Sequence, residues 1–219
     1  MATRHRTPSE SLEPAILSAA EALLEESGPD ALSIRRIAAR AQVAPMGLYT
    51  RFDGKHGVID ALFKEGFAAL GATIRATAAF PDSVAALRAA GVAYRALALA
   101  HPARYRLMFL QAVPGFTPSD AAIDTASGAF QALVEAAARC VADGALRAAE
   151  PAGIAQQVWA SCHGWVALEL CGINFAADLE AGYGELLDLL LLGLSRPGYA
   201  VATASGQRPS RSGDNSIEV

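Results

Sequence analysis

A chain of 219 residues, 53% apolar and 18% charged, can build one good core, or a small head and a larger body. Ala and Leu dominate and strand signals are scarce, so an all-α fold of closely packed helices is expected. A formal net charge of −4 excludes attraction to a polyanion through bulk charge, so any such contact has to be local.

Residues 1–11 read as a flexible basic arm with Arg4, His5 and Arg6, and no apolar run follows that would make a cleavable signal peptide. A cytoplasmic chain is expected. Ser9 and Ser11 offer caps for a helix over 12–26, where Leu12, Ala15, Ile16, Ala19, Ala20, Leu23 and Leu24 keep helical spacing. Gly28-Pro29 ends it. Ser33 caps a short helix with Ile34, Ile37, Ala38 and Ala41 inward and Arg35, Arg36 and Ala39 outward or on the flank. Gln42-Val43 makes the turn, Pro45 suits a first-turn position, and Leu48 anchors a second short helix with Met46 opposite and Tyr49 to one side.

A fourth helix starts near Lys55 and runs past Leu70, carrying Val58, Ile59, Leu62, Phe63, Phe67 and Leu70 on one face; Gly57 is expected to loosen its start. Further helices are expected at about 83–99, 103–110, 119–143, 154–171 and 183–194, separated by Pro81, Pro102, Pro114, Pro151 and Pro197. Residues 199–219, rich in Ser, Gly and Arg, read as a disordered tail. The strongest candidate for a membrane span, 186–194, is half the ~20 residues a bilayer requires, so no membrane partner is expected. Cys140, Cys162 and Cys171 are odd in number and lack a C-x-x-C pair, which points to small buried thiols and to neither disulfides nor a metal or other cofactor.

The charge is unevenly spread. Between residues 31 and 57 stand Arg35, Arg36, Arg40, Arg51 and Lys55 against Asp53 alone, five cations less one anion, or +4. A helix-turn-helix needs a first helix braced across the DNA backbone and a second whose exposed residues enter the major groove, with Tyr, Thr, Arg and Lys on phosphates. This segment has the parts: Pro45, Met46 and Gly47 at the tip of the second helix, then Tyr49, Thr50 and Lys55.

In order and spacing, the helix ending at Gly28, then Leu32-Ser33-Ile34-Arg35-Arg36-Ile37-Ala38, Val43, Pro45, Leu48-Tyr49, Phe52 and Lys55 resemble the tetracycline-repressor (TetR) family of bacterial transcriptional regulators. The resemblance implies that Ser33, Tyr49, Thr50 and Lys55 hold phosphates, while Arg35, Arg36, Pro45, Met46 and Gly47 lie nearest the bases. Ala44 and Gly47 depart from the family pattern, standing where a capping Ser and a hydroxyl or small residue are common.

In the body, Trp159, His163, Val166 and Leu170 share one helical stripe. The run Trp159, His163, Gly164 with Leu168-Glu169-Leu170, and the segment from His101 to Phe109, resemble the Trp-His-Gly type of effector domain in that family. This implies an apolar effector cavity, with Tyr94, Phe109, Phe116, Phe130, Trp159 and His163 as candidate lining and His163 as its polar handle. Helices at 154–171 and 183–194, apolar on more than one face, are expected to pair with a second copy.

The domain order is then 1–11 arm, 12–57 helix-turn-helix, 58–198 effector-binding and dimerisation body, and 199–219 tail. The implied function is a homodimeric repressor released from a palindromic operator by a small apolar or aromatic effector. Its alternative is a small-molecule sensor or carrier whose head no longer binds DNA specifically. No catalytic residues are assigned: an enzyme would have to recruit Cys162, His163 and Glu169 or Asp178, but adjacent Cys162 and His163 diverge on a helix.

Overall fold

A computed structural model describes residues 12–110 and 113–196. Arg4, His5 and Arg6, the caps Ser9 and Ser11, and the tail at 199–219 lie outside the described residues. Those described form nine α-helices and no strand: α1 (Leu12–Ser27), α2 (Ile34–Ala41), α3 (Pro45–Phe52), α4 (Lys55–Ala76), α5 (Ser83–Ala100), α6 (Pro102–Phe109), α7 (Asp120–Ala142), α8 (Pro151–Leu170) and α9 (Leu179–Leu194).

Helix starts follow local chemistry. Ser33, Asp82, Ser119 and Asp178 cap α2, α5, α7 and α9, each side-chain oxygen accepting a backbone N–H of the first turn. Two helices begin earlier than their apolar patterns predict. Pro151 opens α8 as a first-turn proline instead of separating it, and Asp178 draws the start of α9 back to Leu179.

Two cores result. The head core gathers Ile16, Leu23, Leu32, Ile37, Leu48, Val58, Ile59 and Leu62. The body core begins at Phe63 on the same helix and continues through Leu70, Leu87, Tyr94, Cys162, Val166 and Leu187. The two meet inside α4, and they meet again in α6, where Ala103 and Leu107 pack into the head while Tyr105 packs into the body.

Among the described residues α5 is the helix long and apolar enough to cross a bilayer, which replaces 186–194 as the span candidate. It is the body's central helix, packed on α4, α7, α8 and α9. Its two cations are paired within the fold, Arg88 with Asp188 at 2.6 Å and Arg95 with Glu169.

The expectation for Gly57 is reversed. A Cβ there would stand 1.4 Å from the Phe52 carbonyl oxygen, so glycine is what lets α3 turn tightly into α4. Asp53 and Gly54, both at positive φ, complete that turn.

Candidate nucleic-acid interface and internal cavity

The α2–turn–α3 unit is held from within by Ile37, Ala38 and Leu48, all at 1% exposure or less. Gln42, left-handed at φ 57°, reverses the chain between the helices, and Pro45 starts α3 behind an Ala44 that makes no side-chain cap. This frame turns Arg35, Arg36, Pro45, Met46, Tyr49 and Thr50 to solvent, with Gly47 and Lys55 half-buried beside them. Met46, 67% exposed, is the most prominent apolar group on this surface.

Ser33 and Thr50 are already engaged locally. The Ser33 hydroxyl oxygen accepts the Arg36 N–H at 3.3 Å, and Thr50 donates to the carbonyls of Met46 and Gly47. Each hydroxyl oxygen keeps capacity for a further partner. Lys55 opens α4, whose first-turn amides have no side-chain cap and can face an anion.

The +4 island is smaller in space than along the chain. Arg40 grips Glu26 of α1 through two bonds of 2.6 and 2.7 Å, and Arg51 reaches Glu13 of α1 at 3.1 Å. Two of the five cations therefore brace α1, while Arg35, Arg36 and Lys55 form no ion pair among the described residues. Their sequence separations, 14 and 38 residues, are why a local charge count misses these pairs.

In the body, α4, α5, α6, α7 and α8 surround a cavity of 830 Å³. Tyr94, Phe109, Phe130, Trp159 and His163 line it together. Phe116 does not. Its ring packs on His56 and Phe63, with centroids 5.3 and 5.9 Å away, at the seam between the two cores. The wall also takes Phe63, Phe67 and Leu70 from α4 and Met108 from α6. Exposed Ile123, Ser127 and Gln131 of α7 and Gln156, Ala160 and Gly164 of α8 mark its mouth.

His163 is fastened on one side only. Its Nδ1 lies 2.8 Å from the Tyr105 hydroxyl and 3.1 Å from that of Tyr94. Burial lowers the imidazole pKa and favours the neutral ring. Burial likewise raises the phenol of Tyr105 to about 12 and pushes that of Tyr94 upward, keeping both as neutral hydroxyls. Tyr105 escapes a sequence reading because its partner is 58 residues away. Phe109 and Trp159 flank the imidazole at centroid distances of 5.1 and 6.1 Å.

Catalytic partners for Cys162 are spent elsewhere. Glu169 forms a two-bond pair with Arg95, Asp178 caps α9, and burial raises the Cys162 thiol pKa. Cys140 and Cys162 are buried as expected; Cys171 is exposed.

Head and body are joined by polar contacts as well as by α4. Glu21 of α1 pairs with Arg104 of α6 and sits 3.1 Å from Nδ1 of His101, while Glu25 accepts the Ala103 N–H at 2.8 Å. Helix α6 thus carries head contacts at its start and cavity residues Met108 and Phe109 at its end.

The chain matches the family model described as bacterial regulatory proteins, tetR family, over residues 16–62. It also matches the tetracyclin repressor-like C-terminal domain over residues 87–191. Among solved structures, a protein of unknown function from Rhodococcus sp. RHA1 is similar at 26% identity and TM-score 0.76, over 87% of this chain and 100% of that one. The putative regulatory protein SCO4313 follows at 28% identity and TM-score 0.70, over 84% and 99%. SmeT, the repressor of the Stenotrophomonas maltophilia multidrug efflux pump SmeDEF, shares the fold at 22% identity and TM-score 0.68, over 90% and 96%. No curated protein matches.

Proposed function

The chain belongs to the tetracycline-repressor family of bacterial regulatory proteins, and from that premise we propose that it is a homodimeric cytoplasmic repressor. It leaves a palindromic operator when a small apolar or aromatic effector fills the body cavity. The observation that carries the reading is one helix, α6, holding the DNA-binding head at one end and the cavity wall at the other. The Trp159, His163 and Gly164 run supports a body of the Trp-His-Gly type.

On the DNA side, Ser33, Tyr49, Thr50 and Lys55 hold phosphates. Arg35, Arg36, Pro45, Met46 and Gly47 lie nearest the bases. Few hydrogen-bonding side chains stand at the tip of α3, so specificity leans on the Arg pair, apolar contact from Met46 and DNA shape.

The second copy docks on α8 and α9. Gln157, Ala160, Gly164 and Leu168 form an exposed stripe on α8, and Glu185, Leu189 and Leu192 form one on α9. Two helices from each chain make a four-helix interface, and its two-fold axis is mirrored in the operator.

Effector binding favours a head spacing that no longer fits successive major grooves. A hundredfold loss of operator affinity needs about 2.7 kcal/mol of coupling, and operator must weaken effector binding by the same factor. Selection of bound fragments from the source genome tests the reading. A recovered two-fold-symmetric site supports it, whereas failure to enrich any sequence favours a sensor whose head no longer reads DNA.

A further inference from the structure

The donors on the cavity wall narrow what can fill it. Two hydroxyls, those of Tyr105 at 2.8 Å and Tyr94 at 3.1 Å, converge on the single in-plane bonding position of His163 Nδ1. The nearer one, Tyr105, occupies it. The other acceptor in reach of Tyr94, the Tyr105 oxygen, is 3.4 Å away, a long bond. The Tyr94 proton is therefore the most weakly held of the cluster, and Tyr94 lines the cavity where Tyr105 does not. The imidazole of His163 and the indole of Trp159 stand beside it on the same wall.

Charge is missing from this wall. None of the lining residues is Asp, Glu, Lys or Arg, so a charged ligand would be taken from water without a counter-ion. Phe109, Phe130 and Trp159 supply flat apolar faces, and 830 Å³ suits a molecule of one to a few fused rings.

We propose that the cavity takes a neutral, flat apolar molecule bearing a carbonyl-type oxygen, to which Tyr94 donates. The inference rests on the reading of the cavity as the effector site and names the chemical class that site selects.

Three bicyclic probes of matched skeleton test it by equilibrium dialysis against the full chain: tetralin, 1-tetralone and tetralin-1-carboxylate. The expected result is 1-tetralone bound at least tenfold more tightly than either of the others. Tyr94→Phe, which removes one oxygen and little volume, is expected to shrink the tetralone preference severalfold while tetralin affinity stays the same. Equal affinity for tetralin and tetralone, or tightest binding of the carboxylate, would overturn the inference and leave the effector cavity standing. No binding of any of the three would overturn the effector-site reading as well.

Discussion

Phe52 and Gly57 are locked against each other: the carbonyl oxygen of Phe52 occupies the place a Cβ on residue 57 would need, 1.4 Å away. Backbone, unlike the end of a long side chain, has no cheap way to move aside. Gly57→Ala is therefore expected to destabilise the head by about 3 kcal/mol or more, although Ala is the better helix former. Gly47→Ala is the control. Its nearest neighbour is a Leu12 methyl at 3.7 Å, so it is expected to change stability by about 1 kcal/mol or less. Urea unfolding followed by circular dichroism separates the two.

Glu21 and Arg104 join head to body with side chains 19% and 17% exposed, sheltered enough for the pair to matter. Removing either partner leaves the other partly buried. Glu21→Gln and Arg104→Met are each expected to cost about 1 to 2 kcal/mol, with the double variant costing less than their sum. A double-mutant cycle on the unfolding free energy measures the coupling. Additive effects would show that the pair contributes nothing to holding the head.

What the sequence made legible was whatever repeats locally. Helical spacing marks α4 because Val58, Ile59, Leu62, Phe63, Phe67 and Leu70 all face inward, and the α2–α3 unit because its Ser33 cap and Leu48 anchor act within a few residues. Long-range partnerships stayed hidden. Glu26 and Glu13 draw Arg40 and Arg51 out of the apparent basic island, and Phe116 packs at the head–body seam instead of in the cavity. Nothing in the spacing of Tyr105 marks it as the closest partner of His163.

Burial depresses the His163 pKa, so between its folded and unfolded values the unfolded chain binds more protons. Stability from the neutral ring is present above the ordinary histidine value near 6.5 and is lost as pH falls through the depressed folded value. Wild type is expected to lose more stability than His163→Asn on acidification from about pH 7.5 to 5.5. Parallel melting curves over that window would remove His163 as a source of acid sensitivity.

Salt dependence separates the cations of the head. Lys55→Ala is expected to weaken specific and nonspecific DNA binding together and to lower the log–log salt slope by about 0.9 for the lost phosphate contact, whereas Arg36→Ala, nearest the bases, is expected to weaken specific binding more than nonspecific binding. Arg40→Ala is expected to leave the slope unchanged, because its guanidinium is committed to Glu26. Fluorescence anisotropy at stepped salt reads all three. A slope that drops for Arg40→Ala and holds for Lys55→Ala would invert the assignment of bracing and phosphate-binding cations.

Leu189 and Leu192 stand 68% and 59% exposed on α9. Their neighbour Leu191, facing inward, is 2% exposed, so the outer pair can be changed without touching the monomer core. Two such leucines in water forgo about 1.5 to 3 kcal/mol each relative to full burial, which the proposed second copy would recover by covering them. Leu189→Glu with Leu192→Glu places four carboxylates in one two-fold interface and is expected to yield a folded monomer by sedimentation. Each half-site then binds alone, so affinity for a palindromic site is expected to fall by about 10² or more as linked binding is lost. A variant that still sediments as a dimer would place the interface on another face of the body.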